Sequence, residues 1–262
     1  MNRELEKNKA NHKISAKTRF SIVAVALVAF MGILAETSLN VTFPTLEKTF
    51  GLPLSTVQWM TTAYLLVVAI VMPTSSYISQ RFQNRTLFFA GLIFFTIGDL
   101  LSLISSNFTI LMAGRLIQGI GTGIAIPLMF NLVLTKIPRE RVGLWMGFAG
   151  MILSIAPALG PTYGGLLTGT LGWRMIFAII LIIPICLFPL GAWAIEKSEK
   201  TRPGKFDFIA FIFLSLVMNS ALLALDSLSS AHFSWIWLIL FIIGLIAFIW
   251  RSKTSSLNFI DI

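Results

Sequence analysis

Charged and cysteine residues are scarce in this chain of 262 residues. Asp, Glu, Lys and Arg make up only 12% of it, about half the fraction found in soluble domains. The single cysteine, Cys186, excludes an intrachain disulfide and a metal site built from cysteines. The histidines, His12 and His232, lie outside or at the edge of the apolar runs, and no HExxH, Walker or CxxC motif is present. We therefore expect that the protein is not an enzyme, that it has no catalytic residues, and that it binds no metal and no cofactor.

Hydrophobic residues, by contrast, make up 56% of the chain, and its mean hydropathy is +0.85. They are arranged in blocks, each close to the roughly 20 residues that a helix needs to cross a bilayer. This pattern predicts an all-α integral membrane protein with about eight transmembrane helices. The predicted spans are residues 20–43, 56–78, 86–105, 108–135, 142–168, 175–194, 208–225 and 233–250.

The basic residues lie mostly on one side of the predicted membrane. Of the 20 Lys and Arg residues, 17 fall in the N-terminal tail and in alternate loops, whereas the opposite loops hold Lys48 and Arg174. This asymmetry predicts that both termini are cytoplasmic. The net charge of +9 is then explained by topology and by anionic lipid headgroups. We expect the lipid bilayer as a partner, and no nucleic acid.

Three residues that carry a charge at neutral pH in water fall inside predicted spans: Glu36, Asp99 and Arg115. Charged groups within a membrane are costly and mark functional sites by default. At 1.5 Å per helical residue, all three are expected roughly 10 Å below the outer surface, where they can interact. Burial and a nearby arginine act on a carboxyl group in opposite senses, which can create a proton site. The alternatives are a structural ion pair and, for Asp99, a side chain that reaches the interface.

The fifth predicted span contains an unusual run of prolines and glycines at residues 156–165. Proline removes a backbone donor and clashes with the carbonyl one turn earlier. Lipid cannot satisfy backbone groups that lose their partners. We therefore expect this span to be bent and buried against close neighbours.

Several of these stretches together resemble the major facilitator superfamily. They are most similar to its fourteen-span drug:proton antiporter branch, the EmrB/QacA-like and lincomycin-efflux type. Residues 34–44 resemble the first-span motif, residues 111–119 the fourth-span motif, and Gly150 with residues 160–165 the fifth-span antiporter motif. The resemblance covers about residues 20–260, with the motifs in the right order.

The resemblance implies roles for individual residues. Proton coupling is implied for Glu36, Arg115 and Asp99. Four polar residues would line the substrate cavity, namely Asn40, Gln58, Thr62 and Gln118. The antiporter motif, with a structural and gating role, comprises Gly150, Pro157, Gly160, Pro161, Gly164 and Gly165. The cytoplasmic loop motif retains Arg81 and Arg85, but Gln80 replaces its acidic residue, which makes a latch built on an Asp–Arg pair doubtful.

The resemblance also implies a domain organisation. A basic cytoplasmic N-terminus (residues 1–19) precedes a six-span N-terminal transporter half (20–195). A cytoplasmic loop (196–206) leads to two additional spans (207–250), and residues 251–262 begin the connection to a second half that this sequence lacks. We expect a missing C-terminal half, or a second copy, as a partner.

The implied function is proton-coupled efflux of lipophilic drugs, cationic ones included, across a bacterial plasma membrane. The proton gradient would be the energy source. Two alternatives stay open: a non-transporting fragment of such a transporter, and a half-transporter that needs a second chain. A membrane enzyme and an ATP-driven permease are disfavoured.

Overall fold

Helices account for all regular structure in the part of the chain that the computed structural model describes, residues 14–197, 207–228 and 234–254. The N-terminal tail up to residue 13, most of the predicted loop at 196–206 and the last eight residues of the predicted connection lie outside these ranges. The helices are α1 (Ala16–Asn40), α2 (Phe43–Phe50), α3 (Leu54–Arg81), α4 (Asn84–Leu103), α5 (Phe108–Lys136), α6 (Arg139–Thr170), α7 (Met175–Ile180), α8 (Ile182–Ala194), α9 (Phe208–Leu228) and α10 (Trp235–Thr254).

The predicted membrane helices are confirmed. Seven stretches of the described residues are long and apolar enough to cross a bilayer, and Trp235–Arg251 is a shorter apolar stretch. The sixth predicted span differs in one respect, because it divides into α7 and α8 at Leu181. Pro184 explains the division, since its ring clashes with the carbonyl four residues earlier, at Ile180, where α7 ends.

Helices α4 and α5 approach each other so closely that their backbones touch. A Cβ on Gly114 would lie 2.8 Å from the carbonyl oxygen of Gly98, and one on Gly121 would lie 2.6 Å from that of Gly91. Such contacts require glycine, because any side chain would push the helices apart. The close approach brings the face of α5 that carries Arg115 directly against α4.

Helix α6 differs in part from one expectation. It is a single helix that continues through Pro157 and Pro161, and only 11% of its most apolar stretch is buried. The expected burial against close neighbours is therefore found on one side of the helix only. The reason is that its small residues divide between two faces: one packs against α1, and the other has no neighbour among the described residues.

Helices α9 and α10 form a pair with a small core of their own, made by Ala210, Leu214, Val217 and Phe248. Helix α9 packs against α3. Arg251, near the end of α10, forms an ion pair with Asp207, with 3.0 Å between Nε and Oδ2. Asp207 also accepts a hydrogen bond from the backbone N–H of Ala210, in the first turn of α9. The boundaries of the predicted domains remain predictions.

Candidate functional site

The candidate site is built on one face of α5. Arg115, Gln118 and Thr122 follow one another at intervals of three and four residues, so they share one side of the helix. All three are buried, and the guanidinium of Arg115 is fully enclosed. A buried arginine is rare in any protein unless partners surround it.

Gln118 connects the two fully buried charges of the site. Arg115 donates from Nη1 to Oε1 of Gln118, and Gln118 donates from Nε2 to Oδ1 of Asp99 on α4 at 3.0 Å. An amide can do this because it has both an acceptor and donors. Within the described residues, Arg115 and Asp99 make no direct ion pair. We call these three residues the buried bridge.

Tyr64 of α3 covers the other side of Arg115. The Cζ atom of Arg115 lies 4.1 Å from the centroid of the Tyr64 ring, which is a cation–π contact. The Tyr64 hydroxyl donates to Oγ1 of Thr122 at 2.9 Å. Thr122 in turn fills the space above Gly32 of α1, where a Cβ would collide with its side chain. Four helices therefore hold the Arg115 side chain and its neighbours in place.

The buried bridge has unused hydrogen-bonding capacity. Oδ2 of Asp99, and Nε and Nη2 of Arg115, are buried without a partner. An unsatisfied polar atom of this kind costs about 1–3 kcal/mol, and more when it is charged. A buried polar group without a partner therefore calls for an explanation, such as a bound water or ion or a functional role.

Glu36 lies on α1, one turn beyond Gly32, and is half-buried. It is within electrostatic range of Arg115, although the two make no ion pair within 4 Å. Of the three predicted proton-coupling residues, Asp99 and Arg115 are connected by hydrogen bonds through Gln118. Among the described residues, Glu36 makes no hydrogen bond to this set. Asp99 is fully buried, so the alternative that its side chain reaches the interface is wrong.

The four residues predicted to line the cavity differ in their exposure. Asn40 and Gln58 are exposed, and Asn40 accepts a hydrogen bond from Thr61 at 2.9 Å. Thr62 is buried, and Gln118 belongs to the buried bridge. Their role in binding substrate remains a prediction.

A cavity of about 450 Å³ lies between the later halves of α3 and α5. The sequence analysis missed it. The signal that could have found it is a proline inside each helix, Pro73 and Pro127, because both line the cavity. Its other lining residues include Met72, Ser75, Phe130 and Asn131.

The antiporter-motif residues divide between the two faces of α6. Gly160 and Gly164 lie against Thr37 and Ser38 of α1, where an added Cβ would collide with the Thr37 hydroxyl and the Ser38 carbonyl. Gly150 and Gly165 have open space, and Pro157 and Pro161 are exposed.

In the cytoplasmic loop motif, the two arginines contact aromatic side chains. Arg81 donates to the Tyr77 hydroxyl at 3.4 Å, and Cζ of Arg85 lies 6.0 Å from the Phe89 ring centroid. Neither arginine forms an ion pair with a described acidic residue.

Comparison with known proteins decides the family. The sequence matches the Major Facilitator Superfamily over residues 25–257. The chain belongs to the major facilitator superfamily. With several apolar spans, it is a multi-pass membrane protein of that superfamily.

Three of the curated proteins similar to this chain have names that refer to drug resistance. The lincomycin resistance protein LmrB of Bacillus subtilis is 34% identical over 242 residues, which is 90% of this chain and 50% of the relative. The putative multidrug resistance protein MdtD of Pectobacterium carotovorum is 31% identical and covers 81% of this chain and 45% of its own length. The multidrug resistance protein B homolog of Mycobacterium tuberculosis is 30% identical, and the match covers 77% of this chain and 37% of the relative. The chain spans about half the length of the curated relatives it matches.

Proposed function

We propose that this chain forms one lobe of an exporter that exchanges protons for lipophilic drugs, cationic ones included, across the bacterial plasma membrane. The observation that carries the proposal is the buried bridge of Arg115, Gln118 and Asp99, within electrostatic range of Glu36. The names of the relatives, which refer to lincomycin and multidrug resistance, support the choice of drugs as substrates.

Glu36 is the proposed site at which proton and substrate compete. An ionised Glu36 attracts a cationic drug or a proton, and a protonated Glu36 loses that attraction. The fixed positive charge of Arg115 attracts the ionised carboxylate of Glu36. Asp99, held by Gln118, offers the unpartnered Oδ2 as a second place for the proton. Proton entry from outside would then release the drug outward, so the proton gradient supplies the energy and no cofactor is needed.

The open face of α6 is the proposed contact with a second lobe. Gly150 and Gly165 leave room for another helix to come close to the α6 backbone. Transporters of this kind place the substrate between two lobes that rock against each other. In this proposal both termini are cytoplasmic, and the second lobe comes from a further C-terminal half or from a second copy of the chain.

The second candidate is a chain that does not transport when it is alone. The observation that favours it is the same open face of α6, together with the extent of the chain, about half the length of its relatives. A single lobe has no opposite wall to close the path across the membrane.

An assay of drug efflux separates the two candidates. It compares three sets of cells, each of which expresses one protein: the chain alone, the chain fused to the second half of the Bacillus subtilis relative, or that second half alone. We expect efflux from the fusion only. Efflux from the chain alone would support assembly of two copies. A well-inserted fusion that accumulates as much drug as cells without it would contradict the exporter proposal.

A further inference from the structure

A cavity of about 380 Å³ opens between the first turns of α1 and α6. Its lining residues are Ile14, just before α1, Arg19 at the start of α1, and Arg141, Leu144 and Trp145 at the start of α6. The volume falls in the range of small-molecule sites, roughly 300–1,000 Å³. It lies far along α1 from Glu36 and forms no part of the candidate transport site.

The charge of this cavity is positive. Within the described residues, neither Arg19 nor Arg141 forms an ion pair, and both side chains are exposed. A guanidinium presents a planar set of donors that matches phosphate oxygens. Two such groups on one cavity therefore favour a phosphate-bearing anion.

The apolar residues of the cavity indicate which kind of phosphate-bearing anion would bind there. Leu144 is 74% exposed and Trp145 is half-buried, and both lie beside the arginines in the second turn of a membrane helix. A leucine this exposed at a membrane surface is stabilised by contact with acyl chains, and tryptophan prefers the headgroup level. A free phosphate ion would leave these side chains uncovered, whereas a phospholipid covers both parts.

We propose that Arg19, Arg141, Leu144 and Trp145 form a binding site for one anionic phospholipid. The two guanidinium groups bind the phosphate of its headgroup, and Leu144 and Trp145 contact the beginning of its acyl chains. Basic pockets between membrane helices are known to select anionic headgroups. The site would tie the amino end of α6 to that of α1 through a lipid, and it does not depend on whether the chain transports drugs.

The site is tested on the 262-residue chain reconstituted in vesicles of phosphatidylcholine that contain increasing fractions of brominated phosphatidylglycerol or of brominated phosphatidylcholine. Bromine quenches tryptophan fluorescence at close range. The component lost on Trp145→Phe identifies the signal of this residue. We expect half-maximal quenching of that component at a roughly tenfold lower fraction of the anionic lipid, since each basic group near the surface contributes to its binding.

The double variant Arg19→Gln/Arg141→Gln should lose this tenfold preference. The matched control is Lys17→Gln/Arg139→Gln, which removes the same charge from the same two helix ends but from residues that do not line the cavity. We expect the control to keep most of the preference. Equal losses in both variants, or no preference in the unmodified chain, would overturn the site. Loss of the preference on adding millimolar inorganic phosphate would show a free anion in place of the lipid, and would overturn it too.

Discussion

At the scale of single residues, Gln118 has the role that the sequence indicated least clearly. Its position on the same face as Arg115 was evident from the spacing, and it was predicted to line a cavity. The structure places it between a buried arginine and a buried aspartate, and its role in a cavity stays a prediction. An uncharged amide can satisfy both charges at once without adding a charge of its own to the membrane interior.

Replacing Gln118 with Leu should therefore leave both Asp99 and Arg115 with fewer partners. We expect a loss of about 1–2 kcal/mol in the free energy of unfolding, the upper part of the range for polar contacts between membrane helices. The measurement is unfolding of the chain in mixed micelles, followed by tryptophan fluorescence. Gln58→Leu is the matched control, because Gln58 is exposed and should change stability little. Equal effects of the two substitutions would mean that the buried bridge does not hold α4 against α5.

At the scale of elements, α6 shows that two adjacent glycines can have different roles. Gly164 faces α1, where a Cβ would collide with the carbonyl of Ser38, whereas Gly165 has nothing within 4 Å. The sequence identified the whole run as one motif, and its composition could not show which residue faces which way. That division depends on how α6 is rotated against α1, which is a property of the tertiary packing.

Gly164→Ala should accordingly push α1 and α6 apart and destabilise the chain by about 1–3 kcal/mol, the usual cost of overpacking. Gly165→Ala should leave stability unchanged or slightly raise it, because alanine is the better helix former. Thermal unfolding in detergent measures both. If Gly165→Ala were the more destabilising of the two, Gly165 and not Gly164 would face α1.

The pair formed by α9 and α10 offers a separate test at the same scale. Arg251→Gln removes the ion pair that connects Asp207, at the start of α9, to the end of α10. Because Arg251 is partly exposed, we expect a loss of no more than about 1 kcal/mol. The loss should appear as roughly fivefold faster hydrogen exchange in the first turns of α9, with α4 and α5 unaffected. Lys48→Gln, an exposed charge on α2, is the control; if it speeds exchange in α9 as much, the ion pair does not stabilise the helix pair.

At the scale of the whole molecule, the number and order of the spans followed from the sequence because a membrane helix is determined by length and hydropathy. The three intramembrane charges were also found, since a charge in an apolar run is conspicuous. What the sequence could not give is the set of contacts across helices. Tyr64 stacks on Arg115, and Thr122 fits over Gly32, only because four helices meet at one point. The cavity beside Pro73 and Pro127 likewise needed the packing of α3 on α5.

The proposed role of Glu36 is to couple drug movement to proton movement. Its most direct test uses everted membrane vesicles that contain the chain fused to the second half of the Bacillus subtilis relative, with Glu36 or with Glu36→Gln. Proton release on addition of drug and uptake of the drug are recorded together. We predict that the unmodified fusion shows both, and that Glu36→Gln, which keeps the shape but cannot ionise, loses drug-driven proton release. Wild-type proton release in the Glu36→Gln protein would mean that Glu36 does not couple the two movements.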